Sequence, residues 1–219
     1  MERIEENFQD LSIGVLPYDY SPLGEYHFKI PSGTGRWVEA SRYHVWRRSQ
    51  VGNWNIVEEN NNKVMEQSSF TPECLAILVT GENSWVNYDL EIELRPLSKQ
   101  GITGIIFRYN TSSSYYSLYF EGDTVKLACN NLGVWKILGI RYLEVNCDEK
   151  YLFKVGVKDS KILCYIDGDL IFDINDNTFS KGKVGLIASS PCRYYKVLAD
   201  IHLKEERSFA SEDCPGLEI

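Results

Sequence analysis

Three acids stand at alternate positions in the segment "WVNYDLEIELRP" (residues 85–96): Asp89, Glu91 and Glu93, interleaved with Leu90, Ile92 and Leu94. An extended chain sends successive side chains to opposite faces, so this spacing gathers the carboxylates on one face and the aliphatic residues on the other. Same-face neighbours on a strand lie roughly 6.5–7 Å apart. Carboxylate pairs that cleave glycosidic bonds stand about 5–5.5 Å apart in retaining enzymes and about 6.5–9.5 Å apart in inverting ones. Glu91 and Glu93 therefore meet the separation of an acid/base pair. A general acid also needs an apolar or like-charged enclosure to raise its pKa, and nothing in the segment supplies one. The alternative is the solvated face of an amphipathic strand. A second set is His27 in "GEYH" and His44 in "RYHVW", with Glu25 beside the first. Two imidazoles and a carboxylate suit acid/base work or metal ligation; the alternative is hydrogen bonding within a loop, and the spacing does not decide.

A third group is aromatic. In "YYSLYF" (115–120), Leu118 and Phe120 fit a core face, which sends Tyr115 and Tyr119 to the opposite side. In "TGIIFRYN" (103–110), Ile105 and Phe107 share one face and Arg108 takes the other. A guanidinium is costly to bury unpaired, so Arg108 is expected in an open groove. Trp135 in "NLGVWK" and Tyr194 in "CRYYK" extend the set. Rings beside a planar cation offer faces for the CH surfaces of sugars and donors for their hydroxyls; the alternative is packing in the core or at its rim.

The elements that must position these residues are strands. Runs such as "WNIVEE" (54–59), "KVMEQS" (63–68), "CLAILVT" (74–80), "YLFKVGVK" (151–158), "KILCYIDG" (161–168) and "KVGLIAS" (183–189) recur about every ten residues. Links such as "EGDT", "KDSK" and "DGD" carry hairpin chemistry. No apolar run keeps helical spacing beyond about two turns. The fold class is all-β, a two-sheet antiparallel sandwich or barrel. One domain is expected over 1–204, with a long loop rich in aromatics, Pro and Gly over 17–53. Residues 205–219 read as a tail or linker.

Composition narrows the partners. The 219 residues carry a formal net charge of -8 with no Lys/Arg-rich run, which disfavours nucleic acid. No apolar run approaches the roughly 18–20 residues of a membrane span. The charged start "MERIEENFQDL" lacks an apolar signal core. A cytoplasmic protein and a domain of a longer exported one both fit, so localisation stays open. The six cysteines show no CxxC spacing, which speaks against zinc; Cys74 and Cys164 sit in apolar strand patterns and read as core residues.

The ordered segments "ENFQDLSIGVLP", "WNIVEENNNKVMEQSS", "WVNYDLEIELRP", "GIIFRY", "YYSLYF", "YIDGDLIFD", "KGKVGLIA" and "LADIHL" resemble the concanavalin A-like lectin/glucanase jelly roll. Within it the likeness is to laminin-G-like and 3-keto-disaccharide-hydrolase-like domains, over residues 4 to 204. The resemblance implies a two-sheet jelly roll whose concave groove would receive Arg108. It implies an oligo- or polysaccharide ligand, held as a binding module beside further domains of the same polypeptide. The catalytic members carry Glu-x-Asp-x-x-Glu on one strand; the 89–93 acids depart from it, so a hydrolase or lyase is the alternative. A structural module that packs against a catalytic domain is a third reading. The resemblance also implies one structural calcium, with ligands near Glu6 and Asp200 joining the first strand to the last.

Overall fold

The computed structural model describes residues 2–15, 37–40, 53–72 and 75–202. Among them the chain forms strands and turns, with no helix. The strands are β1 (Glu2–Glu6), β2 (Gly14–Val15), β3 (Val38–Glu39), β4 (Trp54–Glu59), β5 (Asn62–Gln67), β6 (Ala76–Thr80), β7 (Tyr88–Pro96) and β8 (Ile102–Thr111). There follow β9 (Ser114–Glu121), β10 (Thr124–Asn131), β11 (Val134–Tyr142), β12 (Tyr151–Lys158), β13 (Lys161–Ile166), β14 (Asp169–Asn175), β15 (Lys183–Ala188) and β16 (Cys192–Ile201).

They assemble into two antiparallel sheets. The first has the order β14-β13-β12-β7-β16-β5-β4-β2, and β1 also pairs with β16; the second has the order β11-β10-β9-β8-β15-β6-β3. Along one side of β16, Cys192–Tyr194 pair with β5 and Val197–Ile201 pair with β1.

Strict alternation builds the interior. On β7, Tyr88, Leu90, Ile92 and Leu94 face inward, and from the second sheet Ile105, Phe107, Tyr116, Leu118 and Phe120 meet them. The Phe120 ring stands edge-on to Tyr151 and Phe153, at 5.0 and 4.8 Å between centroids. Each such side chain withdrawn from water contributes about 1.5–3 kcal/mol. Cys164 is a free thiol in this core, as its strand pattern implies, and Cys129 and Cys192 are also free and buried. A second apolar cluster lies on the other face of the second sheet: Ile77, Val79, Ile106, Tyr109, Tyr115 and Ile187 with Ala40.

Arg108 departs from expectation. Its side chain is fully buried. The β8 ladder with β9 breaks between Phe107 and Thr111, and Arg108 takes the left-handed conformation (φ +47°) inside this irregularity. Alternation ends there, so the residue is free to turn from the groove face into the end of the sandwich. Its guanidinium donates to the carbonyls of Phe179 (2.9 Å), Val86 (3.2 Å) and Asp159 (2.6 Å), while its N–H donates to the Tyr88 hydroxyl (2.8 Å). Gly182 (φ +146°) lets the following loop press against the bulge, since a Cβ there would sit 2.5 Å from the Arg108 carbonyl carbon. Three carbonyls replace water around the cation, which is how burial becomes tolerable. Burial lowers the pKa of Arg108, opposed by the charges of Tyr88, Tyr116 and Asp159.

Tyr194 is the second correction. It is inward-facing and fully buried, with its hydroxyl donating within a pair of contacts to the carbonyls of Gly104 and Ile187, both at 3.0 Å. A register shift between Tyr194 and Lys196 puts Tyr195 outside instead, with the Lys150 ammonium 3.6 Å from its ring centroid.

Replacing Arg108 by Met keeps the stem and leaves three buried carbonyls without a donor. The expected loss is about 3–5 kcal/mol, as for removing one side of a buried charged contact, measured as a fall in urea midpoint at constant m. A loss under about 1 kcal/mol would mean the carbonyls find other donors.

Candidate functional site

The acid triplet sits on the outer face of the first sheet. Asp89 lies 3.3 Å from His202, Glu91 2.8 Å from Lys154 and Glu93 3.1 Å from Lys150. Each carboxylate has a basic side chain beside it at the surface, and Glu91 and Glu93 lack the apolar enclosure that raises the pKa of a general acid. This is the arrangement of the wet-face reading. Beside them, Glu59 takes Arg95 (2.6 Å) and Arg193 (2.8 Å), and Arg193 reaches Glu66 (2.7 Å). Burial alone would raise the Glu59 pKa; the hydrogen bond from Arg193 and the charges of Arg95 and Arg193 outweigh it and leave the carboxyl below its ordinary value.

Glu6 and Asp200 do not converge. Across the β1–β16 pair, Glu6 faces Val197 and Asp200 faces Arg3. Three positions along a strand put them about 10 Å apart on opposite faces. Glu6 instead accepts the Phe8 N–H at 2.7 Å, and Asp200 lies 3.6 Å from Arg3. The two do not make a joint calcium site, and among the described residues no other three acidic, His or Cys side chains group as metal ligands. His27, His44 and Glu25 lie outside the described residues.

What remains of the sequence-derived site is on the outer face of the second sheet. Tyr115 and Tyr119 project there from β9, as their alternation with Leu118 and Phe120 requires. Trp135 reaches them from β11, two strands away. Its ring is edge-on to both, at 5.9 Å from Tyr115 and 6.2 Å from Tyr119. The tyrosines are almost fully buried, while Trp135 keeps 38% of its surface exposed. Asn130, opposite both Tyr115 and Trp135 in register, and Ser117, between the tyrosines, lie in the same floor. Asn130 Oδ1 and Ser117 Oγ are buried without a hydrogen-bond partner. Burial pushes the Tyr119 phenol up to about 12, helped by the charges of Glu121 and Tyr115, so it stays a protonated donor at neutral pH. The acid nearest in this face, Glu121, is paired with Lys126.

The face is divided. Toward β6, β8 and β15 it is filled by the second apolar cluster. Toward the β11 edge it is open, with Ile137, Ile140 and Tyr142 exposed beside Trp135. Sequence reasoning missed β11 altogether, and with it the open half. Its apolar residues are not confined to one face, and the bulge between Leu127 and Ala128 interrupts its period.

No family model matches this sequence, and no curated protein matches it. Several solved structures are similar. The carbohydrate-binding module CBM66 from Bacillus subtilis has a TM-score of 0.58 at 17% identity, over 74% of this chain and 92% of that one. A prokaryotic β-1,3-1,4-glucanase (lichenase) derived from a mouse hindgut metagenome has a TM-score of 0.59 at 14% identity, over 92% and 100%. A GH43 protein from Bacillus licheniformis has a TM-score of 0.53 at 16% identity, over 68% of this chain and 34% of that one. The fold is a concanavalin A-like jelly roll.

Two outcomes follow from the charged face. Glu91→Gln and Glu93→Gln are expected to change stability by less than about 1 kcal/mol, because exposed pairs contribute little. Glu59→Gln behaves differently with pH. A carboxyl held below its unfolded value stabilises above that value, about 4.3, and the contribution is lost as pH falls through the folded value. The deficit of Glu59→Gln against wild type should be full at pH 7 and shrink below about pH 4 in urea titrations. A deficit independent of pH would assign the loss to packing.

Proposed function

We propose that this chain binds an oligo- or polysaccharide on the outer face of its second sheet, as a non-catalytic module working beside a polysaccharide-degrading enzyme. The single observation that carries the reading is Trp135. A half-exposed indole is braced edge-on by two buried tyrosines, next to a buried amide and hydroxyl that lack partners. An indole fixed in this way offers a rigid apolar face at little entropic loss, and the unpartnered Asn130 and Ser117 supply polar contacts at its foot. Similarity to a carbohydrate-binding module over nearly all of that module supports the same reading. In the GH43 protein the matching region is a third of a longer chain, which supports a place beside a catalytic domain.

The 100% coverage of the lichenase favours a second reading, hydrolysis of the bound glycan. It requires an enclosed carboxylate pair, and the ion-paired, solvent-facing 89–93 acids lend it little support.

Calorimetric titration with soluble β-glucans, xylans and fructans tests the first reading. Trp135→Ala is expected to weaken binding about tenfold or more, the loss of an anchoring aromatic, with folding unchanged by circular dichroism. Leu170→Ala, on the far sheet, should bind as wild type. A folded protein that binds none of these polymers refutes the proposal, and release of reducing sugar by the chain alone establishes the second reading.

A further inference from the structure

Among the described residues, most of the exposed large apolar side chains lie along one edge. Leu132, Val134, Trp135, Ile137, Ile140 and Tyr142 all lie in the β10–β11 turn or on β11, with exposures from 38% to 82%. At roughly 200 Å² per large apolar residue, they present on the order of 700 Å² in a single stripe. That is close to the ~800 Å² that each partner contributes to a stable interface. β11 is the last strand of its sheet, and among the described residues nothing pairs with its outer side.

Its backbone is in phase for pairing. The turn Leu132–Gly133 is a two-residue hairpin with positive φ at both positions (+53° and +86°), closed by Asn131 and Val134. The closing pair is the hydrogen-bonded one, and bonded and non-bonded pairs then alternate along β10. Asn130, Ala128, Lys126 and Thr124 are therefore the non-bonded positions, and their partners are Trp135, Ile137, Ile140 and Tyr142. Those four residues turn their N–H and C=O groups away from β10, toward the open edge. The bulge at Leu138 keeps the second two in the same phase as the first two.

The four are also arranged symmetrically about the bulge: aromatic, Ile, Ile, aromatic. We propose that a second copy of this chain pairs with β11, antiparallel about a two-fold axis between Leu138 and Gly139. In that register Trp135 faces the partner subunit's Tyr142, and Ile137 faces the partner subunit's Ile140. All four pairs lie on the outer face of the joined sheet, and all four use backbone groups that no strand among the described residues satisfies. Edge strands are commonly defended by charges, but the two cations of this strand are turned back onto their own subunit. Lys136 lies 3.7 Å from Asp176, and Arg141 donates to the Leu170 carbonyl at 3.1 Å. The pairing extends this outer face without a break from one copy into the next and sets the partner subunit's Tyr142 beside Trp135. It stands independently of what that face binds.

Sedimentation velocity on the full chain, from micromolar to near-millimolar concentration, should show twice the monomer mass at the upper end. Ile140→Lys should restore the monomer with an unchanged near-ultraviolet spectrum. The register has its own readout: a chain carrying both Ile137→Cys and Ile140→Cys should form a covalent dimer on mild oxidation, beyond the background of the native cysteines, whereas Ile137→Cys alone should not. A wild-type monomer at every concentration, a dimer that survives Ile140→Lys, or equal cross-linking by the single variant overturns the proposal. Glycan titration reads the outer face separately, so failure of one does not mimic failure of the other.

Discussion

At one end of the sandwich, a single guanidinium takes the place of solvent for three stretches of backbone. Arg108 draws the Val86, Asp159 and Phe179 carbonyls to one point. These belong to the approach to β7, the β12–β13 turn and the loop before β15. None of the three has a strand neighbour to satisfy it at that end. The cation satisfies the carbonyls of loops that close over the core, at the cost of its own Nε, which is buried without a partner. The same arrangement removes Arg108 from the groove, and so determines what the groove can offer a ligand: rings, an amide and a hydroxyl rather than a fixed positive charge.

The two outer faces consequently differ in kind. That of the first sheet is tiled with ion pairs, each carboxylate matched by a base from a neighbouring strand. That of the second is nearly free of charge, packed with aliphatic residues along one half and aromatic along the other. Ion pairs in water contribute little to stability but keep a sheet face from associating. The uncharged face lacks that protection only along β11, where the apolar side chains emerge.

Much of the fold was legible in the residues. "WNIVEE" and "YLFKVGVK" became β4 and β12 with unchanged limits, because alternation and turn residues act over a few positions and need no distant partner. The alternation in "YYSLYF" put Tyr115 and Tyr119 on the face opposite Leu118 and Phe120, but both are buried there, Tyr115 within the second apolar cluster. Reading failed where the period changes without a glycine to announce it. Arg108 and Tyr194 both adjoin register shifts, and one extra residue is enough to exchange faces. The Glu6 and Asp200 pairing failed on register, which is set by contacts across about 190 residues of sequence. The basic partners of Asp89, Glu91 and Glu93 lie more than 50 positions away in sequence, so their neutralisation was invisible. β11 went unread because Gly139 faces inward against Phe172, an inter-sheet contact that replaces the apolar residue a strand pattern would lead one to expect.

The first and last strands lie side by side, with Glu2 opposite Ile201. A domain whose ends emerge next to each other can be spliced into a surface loop of a host protein with little disturbance, or cut elsewhere and rejoined end to end.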